Sequence, residues 1–170
     1  AVPPEKAARL PKRVQELIGY LGDASATSSF GTAVGGVGDV DRDGIPDLGV
    51  GMEGHGQNGL LSGGVEPLSG RTGRALHTIF GDGPGDLFGT CVQGLGDIDG
   101  DGHSDFIVGA PENGDPVNSY GAGYARVYSG RTGAQLFEFR GQEVVDEFGA
   151  WVAPAGDVDA DGTTDILVTS

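Results

Sequence analysis

Three stretches of this sequence carry one acidic pattern: "GDVDRDGIPDLGVG" from Gly38, "GDIDGDGHSDFIVG" from Gly96 and "GDVDADGTTDILVT" from Gly156. They lie 58 and 60 residues apart, and each sets four aspartates within nine positions. Unit charges about 4 Å apart repel by roughly 1 kcal/mol in water and by about 4 kcal/mol near a protein surface. A pattern that repeats this repulsion in register calls for a positive partner. Other markers keep the same interval. Phe30-Gly31, Phe88-Gly89 and Phe148-Gly149 are also 58 and 60 apart, and "LSGRTG" at 68–73 returns as "YSGRTG" at 128–133. Self-similarity at a fixed period is the signature of a repeat architecture.

Within one period the chain reads as four short strands. In the second unit "FGTCVQGLG" is a strand of small residues and "DFIVGAP" a buried strand leaving the acidic loop. "AGYARVY" is a third strand, "SGRTG" a tight turn, and "AQLFEFR" alternates like a half-buried fourth. Four strands per unit of this length describe a propeller blade. The 34 glycines suit many turns between short strands, since glycine inside a regular element costs roughly 0.5–1 kcal/mol relative to alanine. The expected fold is all-β, with β-propeller-type blades of four antiparallel strands and an acidic loop between the first two strands of each. The chain holds about three blades' worth, two complete and two partial.

The expected divisions are 1–29, 30–87, 88–147 and 148–170. In the first of these, Leu10 to Asp23 overlays Leu68 to Asp82 with one residue deleted, which reads as outer strands of a degenerate preceding unit. Ahead of it, Pro3, Pro4 and the basic residues Lys6, Arg9, Lys12 and Arg13 read as an irregular or briefly helical lead-in with a solvated charged face.

Aspartates at positions 1, 3, 5 and 9 with glycine at 6 form the front of an EF-hand-type calcium loop. Alternate residues of a tightly curled loop point inward, so carboxylates converge. Glycine at position 6 (Gly44, Gly102, Gly162) permits the turn that brings in the carbonyl of position 7. The predicted ligands are Asp39, Asp41, Asp43, the Ile45 carbonyl and Asp47 in the first loop. The second offers Asp97, Asp99, Asp101, the His103 carbonyl and Asp105; the third offers Asp157, Asp159, Asp161, the Thr163 carbonyl and Asp165. A donor set of hard oxygens selects Ca²⁺, at three sites, over zinc or copper. The residues at positions 10–12, such as Phe106-Ile107-Val108, start a strand and supply no bidentate glutamate, so the loop is not an EF-hand.

The net charge of −15 argues against nucleic-acid partners and anionic membranes, and no apolar run is long enough to span a bilayer. Cys91 is the only cysteine; its apolar strand predicts a buried thiol, and no internal disulfide can form. His55, His77 and His103 occupy unlike repeat positions, and none stands by a Ser or Cys nucleophile with an orienting acid. No enzymatic activity is expected. Trp151, on a first strand, is expected to pack in the core.

Phe-Gly, the loop pattern DxDxDGxxD and "VGAP" at 108–111, recurring in that order, resemble FG-GAP repeats. These are the units of the integrin alpha-subunit N-terminal β-propeller and of bacterial surface proteins. The resemblance covers residues 30–170, with "GAP" degraded to "GVGME" at 49–53 and to "VTS" at 168–170. It implies an extracellular or cell-surface adhesion or scaffold role in which calcium is structural. The partial blades imply a protein partner, either further repeats of the same chain or another copy completing them head to tail into a ring or filament. The alternative is a carbohydrate-binding or enzyme-associated propeller domain, with a glycan as ligand.

Overall fold

A computed structural model describes residues 29–112, 121–144 and 146–170; the lead-in and the degenerate unit expected over 1–29 lie, apart from Ser29, outside the described residues. Ten strands form three antiparallel sheets. The first runs β1 (Val34–Gly38), β2 (Asp47–Gly51), β3 (Gly64–Leu68) and β4 (Ile79–Phe80). The second runs β5 (Cys91–Gly96), β6 (Asp105–Ala110), β7 (Tyr124–Tyr128) and β8 (Gln135–Arg140). The third pairs β9 (Trp151–Gly156) with β10 (Asp165–Thr169). Each sheet is an up-and-down meander, and no helix occurs among the described residues. This is the all-β, blade-type architecture that the repeat predicts.

The glycine before each acidic loop ends its first strand. Between Gly36 and Gly38, and again between Gly94 and Gly96, the pairing register slips by one residue. Gly38, Gly96 and Gly156 take φ of 78°, 77° and 74°, values that side chains with a Cβ rarely adopt. The slip turns the chain out of the sheet and starts the loop at the following aspartate.

Two apolar layers hold the sheets face to face. Between the first and second sheets lie Val37, Val40 and Val65 on one side and Val92, Phe106, Val108, Tyr124 and Tyr128 on the other, with Phe88 among them. Phe88 is enclosed, stacked on Tyr124 and edge-on to Tyr128 at centroid distances of 6.2 and 6.0 Å. Between the second and third sheets lie Cys91, Leu95, Ile107, Ala125, Val127 and Val152, flanked by Ile166 and Val168. Period-2 alternation sends Val92 and Val108 to one layer and Cys91 and Ile107 to the other, so β6 is buried along its whole length.

The Phe-Gly pair is the hook between sheets. Phe88 bridges Gly63 in parallel, and Phe148 bridges Gly123 in the same way; their N–H groups donate to Ser62 O (3.2 Å) and Ala122 O (3.1 Å). Gly89, at φ 91°, has no room for a side chain, because a Cβ there would fall 2.1 Å from Gly64 O. A second latch lies at the rim. Arg126, almost fully buried, makes two bonds to the Asp82 carboxylate (2.9 and 2.5 Å) and one to Glu138 (2.7 Å). Its guanidinium sits 4.2 Å from the Tyr124 ring centroid, and Tyr124 Oη donates to Asp86 Oδ2 (2.8 Å).

Three sequence expectations shift in the structure. β8 is exposed along most of its length, with only Leu136 turned to the inner layer, because it is a sheet edge. β4 keeps two residues, and His77 just before it donates from Nε2 to Gly130 O in the next sheet (2.6 Å). Trp151 is 73% exposed and is not a core residue. On β9 it alternates with the buried Val152 and faces away from the second sheet, where no described residue covers it.

Candidate metal centres

The three acidic loops fold by the same internal hydrogen bonds. At position 1, Asp39 accepts from the Asp43 and Gly44 amides (both 2.9 Å). Asp97 accepts from Asp101 and Gly102 (3.0 and 2.8 Å), and Asp157 from Asp161 and Gly162 (both 3.0 Å). Position 3 accepts from the amide of position 5 at 3.1 Å in all three loops. Position 5 accepts from the amide of position 7: Asp43 from Ile45 (2.9 Å), Asp101 from His103 (2.9 Å), Asp161 from Thr163 (2.8 Å). Gly44, Gly102 and Gly162 hold φ of 84°, 87° and 92°, the left-handed turn assigned to them from their place in the pattern. Short Asx-type bonds of this kind are what Asp and Gly favour in turns; here they also wind each loop inward.

The winding gathers carboxylates. One oxygen each from Asp39, Asp41 and Asp43 lies within 4.8 Å of the others, and the same holds for Asp97, Asp99 and Asp101, and for Asp157, Asp159 and Asp165. The gathered sets are not identical. Asp47 and Asp105 stand outside the triads of their loops, whereas Asp165 joins the third triad and Asp161 stands outside it. Three carboxylate oxygens so placed are a hard, oxygen-only donor set that could hold a metal ion.

The position-9 aspartates have a role that the loop pattern alone does not disclose. Asp47 and Asp105 are 1% and 0% exposed. Asp47 Oδ2 accepts from Val40 (2.7 Å) and Asp41 (3.3 Å), while Oδ1 accepts from Gly70 (2.7 Å). Asp105 repeats this with Ile98 (2.8 Å), Asp99 (3.4 Å) and Gly130 (2.9 Å). Gly70 and Gly130 are the first glycines of the two SGRTG turns. Each position-9 carboxylate therefore clamps the start of its loop to the hairpin between third and fourth strands. The constant order of acidic loop and SGRTG was the sequence signal for this. Burial pushes the Asp47 and Asp105 carboxyls above the usual carboxylate range, with the backbone N–H bonds pulling the other way. A dication beside them would favour the ionised form further.

The SGRTG turns are built alike. Ser69 and Ser129 accept through Oγ from the Thr72 and Thr132 amides (3.3 Å each), and Gly73 and Gly133 close the turn at φ 72° and 69°. Arg71 reaches from its turn to the first loop and bonds Asp43 through Nε to Oδ2 (2.5 Å). Neighbouring loops are also tied to each other. The Asp39 amide donates to Ser104 Oγ and the Ser104 amide to Asp39 O (3.1 Å each), and His103 donates from Nδ1 to Val40 O (2.7 Å). His103, assigned a carbonyl role from sequence, thus contributes its ring as a strut between loops.

Comparison with known proteins finds the repeat in the part of the chain that carries the second and third loops. Residues 97–168 match the FG-GAP-like repeat. The chain resembles an FG-GAP repeat protein of the integrin alpha type. It is 38% identical over 104 residues to integrin alpha-IIb of Mus musculus and of Homo sapiens, covering 58% of this chain and 9% of either relative. It is 30% identical over 139 residues to integrin alpha-V of Gallus gallus, covering 79% of this chain and 13% of that protein. The match therefore spans about a tenth of the length of these relatives. The FG-GAP signature that the sequence shows is carried by residues with physical duties: Phe88 fills a layer, Gly89 admits a backbone contact, and the acidic loop winds on its own amides. Among the described residues no helix is long and apolar enough to cross a membrane.

Proposed function

We propose that this chain is a calcium-stabilised FG-GAP adhesion or scaffold module of an extracellular or cell-surface protein, divided at 30–87, 88–147 and 148–170. The observation that supports it best is the gathering of three carboxylate oxygens within 4.8 Å in each of three equivalent loops. Asp39, Asp41, Asp43 and Asp47, Asp97, Asp99, Asp101 and Asp105, and Asp157, Asp159, Asp161 and Asp165 would hold Ca²⁺, with the carbonyls of Ile45, His103 and Thr163. Bound calcium supplies charge neutralisation and cross-links the loop to its sheet. An ion at 100 times its dissociation constant adds about 2.7 kcal/mol per site when it binds only the folded form. Three sites add roughly 8 kcal/mol, which compares with about 5–15 kcal/mol for a whole domain.

Differential scanning calorimetry with excess calcium and with excess chelator tests the reading, alongside a calcium count on the folded protein. The expected result is three ions per chain and a large fall in melting temperature on chelation. An unchanged melt, or a folded protein that takes up no calcium, overturns it.

A second part of the reading is completion of the third sheet by further repeats or by another copy. It rests on β10 pairing, among the described residues, only with β9, whereas β2 and β6 pair on both edges. Sedimentation with and without calcium tests the self-completion form, which a calcium-loaded monomer at every concentration removes. Trp151 is an exposed aromatic that a glycan could stack on, but its face carries Ala153, Leu167 and Thr169, without the planar polar side chains that would orient a sugar.

A further inference from the structure

The first and second acidic loops are bonded to each other. Asp39, which opens the first loop, donates its N–H to Ser104 Oγ and accepts at its carbonyl from the Ser104 N–H, each at 3.1 Å. One residue away on each loop, the His103 ring donates from Nδ1 to Val40 O at 2.7 Å. Ser104 stands between His103, whose carbonyl is the position-7 ligand assigned to the second loop, and the anchor Asp105. It also packs over Gly38, where a side chain would not fit. From the other direction Arg42, the fourth residue of the first loop, lies across the sixth residue of the second: a Cβ on Gly102 would fall 2.9 Å from Arg42 Nη1.

The second and third loops lack the side chains for these contacts. Where the first loop has Arg42 the second has Gly100, with nothing to reach across Gly162. Where the second has His103 the third has Thr163, with no ring to reach Ile98 O. Among the described residues no hydrogen bond runs from Thr163 or Thr164 to the second loop. A Cβ on Gly96 or on Gly162 would meet nothing within 4 Å, so the two loops also stand further apart at the positions where the first pair touches.

We infer that the first two loops take up calcium as a coupled pair, through Asp39, Val40 and Arg42 on one side and Gly102, His103 and Ser104 on the other, while the third binds on its own. The inference rests on the calcium-site reading of these loops. Asp39 winds the first loop through both carboxylate oxygens, on the Asp43 and Gly44 amides, and its backbone is the part bonded to Ser104. Whatever fixes Asp39 therefore fixes Ser104, and with it the turn that presents the His103 carbonyl and the Asp105 anchor. An ion in either loop orders part of the other in advance, so each raises the affinity for its neighbour. The linkage is reciprocal, and coupling of this kind changes affinity by about fivefold or more.

Hydrogen-exchange mass spectrometry across a calcium titration reads each loop separately. In the wild type, amides of 39–47 and of 97–105 should become protected along curves steeper than single-site binding, and those of 157–165 along a single-site curve. Asp41→Asn, which weakens the first site, should raise the calcium midpoint of 97–105 by about fivefold or more and leave that of 157–165 within about twofold. Asp99→Asn should shift 39–47 by the same factor. Arg42→Gly combined with His103→Thr and Ser104→Ala removes the side-chain contacts, keeps the carbonyl at position 103, and places glycine where the φ is 59°; in that background the cross-shift should shrink. A midpoint of 97–105 that Asp41→Asn leaves within about twofold, an equal shift in 157–165, or a cross-shift undiminished by the triple variant overturns the coupling and leaves the calcium sites standing. Exchange that responds to calcium in none of the loops overturns the calcium reading, and this inference with it.

Discussion

Replacing Asp105 by alanine separates the two duties of a position-9 aspartate. The carboxylate is fully buried and accepts N–H bonds at 2.8 and 2.9 Å, with a weaker one at 3.4 Å. A hydrogen bond to a charged group contributes about 1.5–3 kcal/mol, and a buried donor left unpaired costs about 1–3 kcal/mol. Two good bonds lost at a closed site give an expected destabilisation of about 3–6 kcal/mol. The assay is urea unfolding over a series of calcium concentrations, down to the lowest at which the wild type is folded. A clamp lowers stability by a similar amount throughout the series, because its partners Ile98 and Gly130 are backbone groups. A residue that acts only as a metal ligand loses its effect as the site empties. A deficit below about 1 kcal/mol at low calcium, with a large one at saturation, refutes the clamp. Asp99→Asn, in the triad, is the contrasting variant whose effect should shrink with calcium.

Gly89→Ala should destabilise by at least about 2 kcal/mol, since it combines a left-handed φ with a carbonyl 2.1 Å from the new Cβ; Gly31→Ala, at φ 88° with nothing within 4 Å, should cost about 1 kcal/mol, and chemical denaturation compares the two. The Arg126 bond holds the Asp82 carboxyl below the usual carboxylate range, and the Arg140 bond, with Arg126, does the same for Glu138. Their stabilisation is present above about pH 4, the ordinary carboxylate value, and is lost as pH falls below it. Thermal melts of Arg126→Met should therefore show a lower plateau near neutrality and a shallower acid decline than the wild type; parallel curves would refute the latch. Burial pushes the Cys91 thiol up to about 11, so a thiol reagent at pH 8 should label it only after denaturation, and fast labelling of the native protein would contradict the closed second interface.

Much of the candidate site was legible because its bonds are local. Each loop is wound by contacts between residues no more than five positions apart, such as Asp39 with Gly44, and a repeated pattern exposes such contacts at once. The strand-loop-strand order was legible for the same reason, since glycine punctuation and period-2 alternation act within a few residues. β8 was harder: its alternating Leu136, Phe137 and Phe139 read as half-buried, yet Phe137 and Phe139 are exposed. Whether an apolar face is covered depends on a neighbour that the strand itself does not encode.

By itself the sequence determined the period, the all-β units, the three acidic loops and the places where glycine is obligatory for a left-handed turn. Only the tertiary structure decided that Asp47 and Asp105 are anchors to Gly70 and Gly130, that Arg126 and Tyr124 lock onto Asp82 and Asp86, and that Trp151 faces outward. These contacts join residues 23 to 44 positions apart or lie between sheets. Local preferences do not specify them; they arise from which faces the stacked sheets bury and which carbonyl comes to rest on which glycine.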